Sequence, residues 1–266
     1  MNGKTISSIG EEYIPEKNTC LYSPIFGQLI KGKMDFIYNN SVITNEFFDI
    51  EVCKTICELV TPNSDIIDIG ANIGLVTIGV KKLLDLNEKT NYINNFHCFE
   101  CNDEMFSCLK YNTIGHTNIT LYNFGLSDIQ QIANMEVNSY NYGCSTIKQT
   151  YDNSNNNMNI LDYNVEKFNN RIFEKKLFVS LMPLDLFYNL FENKISVIKI
   201  DVEGMEYNVL AGAKKLIEIH KPAIIVEILD ENIMKVNELM KSYNYINKGL
   251  ILKKYISQDY IFTYNF

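Results

Sequence analysis

Between Phe47 and Val60 the apolar residues Phe47, Ile50, Val52, Cys53, Ile56, Leu59 and Val60 recur at the spacing of one helix face, and Thr61-Pro62-Asn63 stops the run. Short apolar blocks then alternate with longer amphipathic ones. Asp65 to Ile69, Phe96 to Glu100, Asn118 to Phe124, Ile195 to Ile200 and Ala223 to Ile228 read as buried strands. Helices are predicted over Leu75 to Leu84, Asp103 to Tyr111, about Met205 to Ile219, and Asp230 to Lys241. In the third of these, Val209, Leu210, Ala213, Leu216 and Ile217 share the face that a sheet would cover. The alternation predicts an α/β fold, a mostly parallel sheet with helices on both faces. The tail, Tyr243 to Phe266, is rich in Tyr, Ile and Phe and predicts two antiparallel strands with the hairpin turn at Lys248-Gly249.

Two regions lack this regularity. Residues 1 to 45, with Gly27, Gly32 and Asn39-Asn40, read as short strands or loops capping the main domain, 46–266. An insertion at about 129–183 separates the third and fourth strands, and its centre, Tyr151 to Asn159, is so poor in apolar residues that a mobile loop is expected.

Composition narrows the classes. With 266 residues, 46% of them hydrophobic, one substantial core is expected. The 24 basic and 32 acidic residues give a net charge of −8, Arg171 is the sole arginine, and a surface built for a phosphate backbone is disfavoured. The 34 asparagines reflect a skewed composition more simply than a function. Seven scattered cysteines suit free thiols in a reducing compartment, and Cys98-x-x-Cys101 lacks the second ligand pair of a structural zinc site. The amino terminus has no apolar signal region, and the longest uncharged apolar stretch, Gly70 to Val80, is far below the roughly 20 residues of a membrane span, so a soluble, cytoplasmic protein is expected.

Three motifs carry chemistry, each leaving a predicted strand at its carboxyl end, where open α/β sheets bind ligands. In Asp68-Ile-Gly70-Ala71-Asn72-Ile-Gly74 the glycines allow close backbone approach and the next helix offers unpaired N–H groups. A tight turn with Asp68 satisfying backbone donors is the plainer reading of this loop alone, and it is not the G-x-G-x-x-G of a dinucleotide site. Glu100 is placed to accept the hydroxyls of a ribose; alone it also reads as a helix N-terminal acid beside an Asn102 cap. Lys199-Ile-Asp201-Val-Glu203-Gly204-Met-Glu206 sets three carboxylates within six residues, costly unless they meet a cation, a metal or substrate hydroxyls, although capping by Asp201 or Glu203 is also open.

Taken together, these motifs with Leu126-Ser127-Asp128, Met182-Pro-Leu-Asp185, Leu210-Ala-Gly-Ala213 and Pro222-Ala-Ile-Ile-Val-Glu227 make the chain resemble the FkbM family of S-adenosylmethionine-dependent methyltransferases over about residues 65 to 229. The resemblance implies the class I methyltransferase (Rossmann-like) fold, S-adenosyl-L-methionine as cofactor, and O-methylation of a hydroxyl, commonly on a sugar or small natural product. It places Asp68, Gly70, Ala71, Asn72 and Gly74 along the cofactor's amino-acid portion and ribose, Glu100 on the ribose, and Ser127 and Asp128 near the adenine. The family often has His or Ala after Glu-Gly; Met205 stands here, so no histidine base is available at that position.

Methyl transfer to oxygen needs an aligned hydroxyl and a proton acceptor. Asp201 is the first choice as acceptor, or else a contact for the cofactor's ammonium. Glu203, Glu206 and Glu227 are candidates for binding substrate hydroxyls, Glu203 and Glu206 also for catalysis. His97, His116 and His220 rank low. An Asp201/Glu203 pair makes a divalent ion conceivable, but no second acidic cluster accompanies it and no metal is expected. A carbohydrate or small-molecule partner is expected rather than nucleic acid or membrane. RNA ribose 2′-O-methylation, through Lys199 and Asp201, and a non-catalytic domain retaining the fold are the alternatives, with an NAD-dependent oxidoreductase behind them.

Overall fold

In the computed structural model, residues 18–86, 93–138, 141–148, 173–253 and 257–266 are described. The chain opens with an antiparallel hairpin of β1 (Asn18–Ser23) and β2 (Gln28–Lys33). Asp35 starts α1 (Phe36–Tyr38) by accepting the Tyr38 N–H at 2.9 Å, and a π-helical turn over Asn39–Ile43 leads towards α2 (Ile50–Leu59). The predicted alternation follows: β3 (Asp65–Ile69), α3 (Leu75–Leu86), β4 (Asn95–Phe99), α4 (Asp103–Asn112) and β5 (Ile119–Tyr122). Next come β6 (Gly125–Leu126), β7 (Gln131–Asn138), β8 (Thr146–Lys148) and β9 (Phe173–Met182). The chain ends with β10 (Ile195–Ile200), α5 (Glu206–Ala211), α6 (Lys214–His220), β11 (Ala223–Leu229), α7 (Ile233–Ser242), β12 (Tyr245–Lys253) and β13 (Ser257–Tyr264).

Seven strands form the central sheet in the order β12-β13-β11-β10-β3-β4-β5. From β5 to β11 every neighbour is parallel, and β13 runs antiparallel to β11. This is the order of the class I methyltransferase fold, and its direction of winding switches between β3 and β10, which leaves a crevice at their carboxyl ends. Alternate strand residues feed two cores. Ile66, Phe96, Val197 and Ile225 pack with Val52, Ile56, Val76 and Val80 of α2 and α3. Ile67, Ile198, Ile224 and Val226 pack with Val209, Leu216, Val236 and Met240 of α5 to α7. Burial of each such side chain contributes about 1.5–3 kcal/mol, and it carries the whole of β3 and β10 inside, Asp65, Asp68, Ser196 and Lys199 included.

Four expectations need correction. The helix expected over about Met205 to Ile219 is two helices, because a Cβ on Gly212 would lie 2.0 Å from the Ser127 carbonyl oxygen: the chain at 127–128 passes against the break. Asp185 fills it, its N–H donating to Gly212 O at 2.9 Å and its carboxylate accepting the N–H groups of Lys215 and Leu216, each at 2.9 Å. Secondly, the flanks of the 129–183 insertion are a four-stranded sheet in the order β6-β9-β7-β8; its centre, Tyr151 to Asn159, lies outside the described residues. Thirdly, Lys248-Gly249 lies within β12 at a register shift, not between β12 and β13. Lastly, the helix read from Phe47 begins at Ile50, because Asp49 is left-handed (φ +45°).

The amino-terminal hairpin is fastened to the end of α4. Asn112 exchanges hydrogen bonds with the Lys31 backbone at 2.6 and 2.8 Å, and Phe26, Ile30, Ile37 and Tyr38 join the larger core. All seven cysteines are free thiols. Among the described residues no helix is long and apolar enough to cross a membrane.

Asp185 caps α6 from a distant segment, so Asp185→Ala leaves two helix N–H groups without their acceptor. Urea unfolding is expected to show a loss of about 1–2 kcal/mol; a midpoint equal to wild type would mean that Asp185 does not stabilise the helix.

Candidate active site

A cavity of about 790 Å³ opens at the carboxyl ends of the central strands, over the switch between β3 and β10. Its size lies within the range of small-molecule sites. Gly70, Ala71 and Asn72 after β3, Glu100 after β4, Asp201 and Glu203 after β10, and Glu227 in β11 all line it. Strand ends distant in sequence thus bring these residues together.

The floor is built on a buried ion group. Lys199 and Asp68 are cross-strand partners, and Lys199 Nζ lies 3.3 Å from Asp68 Oδ1, 3.4 Å from Asp201 Oδ2 and 3.4 Å from Gly70 O. Burial works against the ammonium's charge, but Asp68 and Asp201 outweigh it and hold Lys199 above its ordinary range. Thr77 Oγ1 donates to Asp68 Oδ2 at 2.6 Å, so this carboxylate stays behind the loop instead of lining the cavity. Gly70 has φ +77°, and a Cβ there would meet Asp201 O at 1.8 Å; both facts demand glycine and bring the two loops into contact. Gly74, φ +89°, serves packing: a Cβ would lie 2.7 Å from Leu109 of α4.

Glu100 is buried, and accepts the N–H groups of Asn72 at 2.9 Å and Asn102 at 2.7 Å. A carboxylate offers about four acceptor sites, so the loop is tied down while capacity for further donors is left. Asn102 also caps α4, its side chain accepting Glu104 N–H at 3.0 Å, as the reading of a helix start here expects. Burial pushes the Glu100 carboxyl up to about 7.

After β10 the chain places Asp201 and Glu203 on the cavity and Glu206 behind it. Glu203 is left-handed, φ +44°, and Glu206 is 1% exposed. The Glu206 carboxylate accepts Gly204 N–H at 2.7 Å and Asn232 Nδ2–H at 3.0 Å, and burial pushes its pKa up to about 7. Glu206 is therefore absent from the cavity wall, where Glu203 and Met205 stand. Glu227 is on the wall and accepts a hydrogen bond from Ser257 Oγ.

Ser127 and Asp128 are not among the lining residues; their neighbours Gly125 and Leu126 are. Ser127 N–H donates to Met182 O at 3.0 Å, and Asp128 accepts from Asn208 at 2.9 Å, so this pair fixes the approach of the small sheet to α5. His97 is packed at the opposite end of the strands, against Asp65 and Tyr122 OH, each at 3.2 Å.

The roof comes from the two regions without periodicity and from Phe48 and Asp49, ahead of α2. Phe36, Ile37, Phe48 and Asp49 form one part; Asn138, Asn141, Tyr142, Ser145 and Ile147 of the insertion form the other. Asp35 bridges them, accepting Tyr38 N–H at 2.9 Å and Tyr142 N–H at 3.2 Å. Glu104 adds a second tie, accepting from Tyr142 OH at 3.3 Å while pairing with Lys175 at 2.8 Å and Lys33 at 3.4 Å. Sequence reading missed these wall residues, for no spacing relates them to the strand-end motifs. Their one signal is the aromatic and amide content of segments flanking the motif-bearing core.

The sequence profile of the family described as Methyltransferase FkbM domain matches residues 68–246, about two thirds of the chain. No curated protein matches significantly. Among solved structures, the chain is similar to the methyltransferase FkbM from Methylobacillus flagellatus KT, with 16% identity and a TM-score of 0.47 over 76% of this chain and 44% of that one. The chain thus spans less than half the length of that protein. It is also similar to the Methanococcus jannaschii fibrillarin pre-rRNA processing protein, with 12% identity and a TM-score of 0.46 over 97% of this chain and 86% of that one.

The raised carboxyl of Glu100 has a pH signature. Its pKa in the ligand-free fold, about 7, lies above the ordinary value of 4.5, so its stabilising contribution is complete below about 4.5 and is lost as pH rises through 7. Glu100→Gln removes that titration. From pH 4.5 to 8 the variant's stability should gain on wild type by on the order of 3 kcal/mol, at about 1.4 kcal/mol per pKa unit. A stability difference constant across that range in urea unfolding would show that burial does not perturb Glu100.

Proposed function

Because the chain belongs to the FkbM methyltransferase family, we propose that it transfers a methyl group from S-adenosyl-L-methionine to a hydroxyl of a sugar, glycan or other small polyhydroxylated molecule. The observation that carries the reading is the charge of the cavity wall. Five carboxylates, Asp49, Glu100, Asp201, Glu203 and Glu227, face it with one basic side chain among the described lining residues, Lys199, which is already paired. Such a wall suits a cationic, ribose-bearing cofactor beside a hydroxyl-rich acceptor, and it repels a polyphosphate chain. RNA is the weaker acceptor for that reason.

The residues present fit the cofactor. Gly70, Ala71 and Asn72, on the cavity wall, would line its amino-acid portion, and Glu100 would accept its ribose hydroxyls with the acceptor capacity left over from Asn72 and Asn102. When bound, S-adenosylmethionine supplies an electrophilic methyl on a sulfonium. The protein's part is to align an oxygen with that carbon and to remove a proton. Asp201 takes this proton from the acceptor hydroxyl; Lys199, on the other side of its carboxylate, keeps it in place. Glu203 and Glu227 orient further hydroxyls of the acceptor, and the roof, with Phe36, Ile37, Phe48 and Asp49 on one side and Asn138, Asn141, Tyr142, Ser145 and Ile147 on the other, limits the access of water. Glu206 acts from behind the wall.

Calorimetric titration with S-adenosylmethionine, S-adenosylhomocysteine and NAD tests the cofactor, and tight binding of NAD alone would sink the reading. Transfer of labelled methyl to a panel of methyl glycosides, glycans, polyols and capped RNA tests the acceptor, and label in the RNA alone would overturn the sugar assignment. On the accepted member, Asp201→Asn should keep cofactor affinity within a few-fold while turnover falls on the order of 100-fold or more; unchanged turnover removes Asp201 as proton acceptor.

A further inference from the structure

The peptide unit joining Glu203 to Gly204 is gripped at both ends. Its carbonyl oxygen accepts from Thr146 Oγ1 at 2.9 Å, and its N–H donates to Glu206 Oε1 at 2.7 Å. The first grip comes from β8 of the insertion, 57 residues away in sequence, and the second from the first residue of α5. The gripped unit fixes ψ of Glu203, whose left-handed backbone (φ +44°) costs a non-glycine residue about 1–3 kcal/mol unless its surroundings hold it. Gly204, at φ +104°, completes a turn that only glycine makes easily. Glu206 is itself fixed by Asn232, at the start of α7, so the clamp rests on packed structure.

We propose that Thr146 and Glu206 are positioning residues that hold Glu203 in its left-handed conformation, facing the acceptor, and so couple the insertion to the chemistry at the end of β10. The role given to Glu203 rests on the function proposed above. Thr146 belongs to the same short segment as Ser145 and Ile147 on the cavity wall, so an acceptor that shifts this segment also shifts the grip on Glu203. The hydroxyl is the part that matters: valine has nearly the shape of threonine and offers no donor, whereas serine keeps the donor.

Two measurements test this. By NMR, Thr146→Val and Glu206→Met should each speed hydrogen exchange of the Gly204 amide by about 10-fold, with amides of β3 and β10 unchanged and Thr146→Ser at the wild-type rate. An unchanged Gly204 rate in Thr146→Val overturns the clamp. On the panel member that wild type methylates fastest, Thr146→Val should lower kcat by about 10-fold with S-adenosylhomocysteine affinity unchanged, and the same change made in a Glu203→Gln background should cost nothing further. An equal cost in that background shows that Thr146 does not act through Glu203 and overturns the coupling, leaving the O-methylation reading intact. If wild type labels no panel member, it is O-methylation that fails, and the Gly204 exchange rate alone decides for or against the clamp.

Discussion

The ammonium of Lys199 between Asp68 and Asp201 is the contact on which the cavity is built. Lys199 and Asp68 are out of water, at several kcal/mol for each ion before their mutual attraction is counted, while Asp201 is only partly so. The arrangement offsets part of that cost by geometry: Lys199 and Asp68 are register partners on adjacent strands, and Thr77 satisfies the second carboxylate oxygen of Asp68. What the group contributes is position. It joins the strand ends where the winding of the sheet reverses, and with Gly70 lying against the Asp201 carbonyl it sets the separation of the two loops that form the floor. A hydrophobic pair here would pack as well but would leave Asp201 without a partner.

How much of this was legible in the sequence depends on how each strand is buried. β3 and β10 are inside on both faces and so appear as short, mostly apolar blocks, with Asp65 and Asp68 in the one and Lys199 in the other, which made them easy to place. The strands of the insertion are not. In β7, Ala133, Met135 and Val137 point inward, yet Ile132 is 74% exposed and Glu136 is buried, so the period of two is lost. Phe178, 81% exposed beside buried Val179, spoils β9 in the same way. The candidate site divides along this line. Glu100, Asp201, Glu203 and Glu227 stand out as carboxylates at ends of apolar strands, whereas Asp49, Asn138 and Tyr142 reach the same cavity only through tertiary packing.

A second lesson lies in residues whose type drew attention but whose work is architectural. Ser127, Asp128, Asp185, Gly74 and Gly212 sit in motifs resembling the family's, and each is engaged in a cap or a close approach away from the cavity. The chemistry that makes Asp and Ser good ligands for a cofactor, short side chains with strong acceptors, also makes them good helix caps. Spacing alone does not separate the two uses. Glu203 and Glu206 show the same ambiguity within one turn of chain: one is on the wall, and the other, almost fully buried, holds the backbone that puts it there.

The floor and the roof are constrained to different degrees, and that difference bears on what could change in such a molecule without loss of the fold. Floor residues occupy strand ends whose register is fixed by long parallel ladders, so moving one of them means slipping a buried strand. Beyond the apolar packing of Ile37 and Tyr142 into the larger core, the roof is tied down by a few polar contacts, Glu104 to Tyr142 and Lys175 and Thr146 to Glu203, while Asp35 joins its two parts through Tyr142. Substitutions between those anchors alter the roof of the cavity at little cost to the sheet. Substitutions at the anchors do not share this freedom, because they release the roof and, at Thr146, one end of the peptide unit that fixes Glu203. The roof can therefore diversify over a floor that cannot, provided that these few polar contacts are kept.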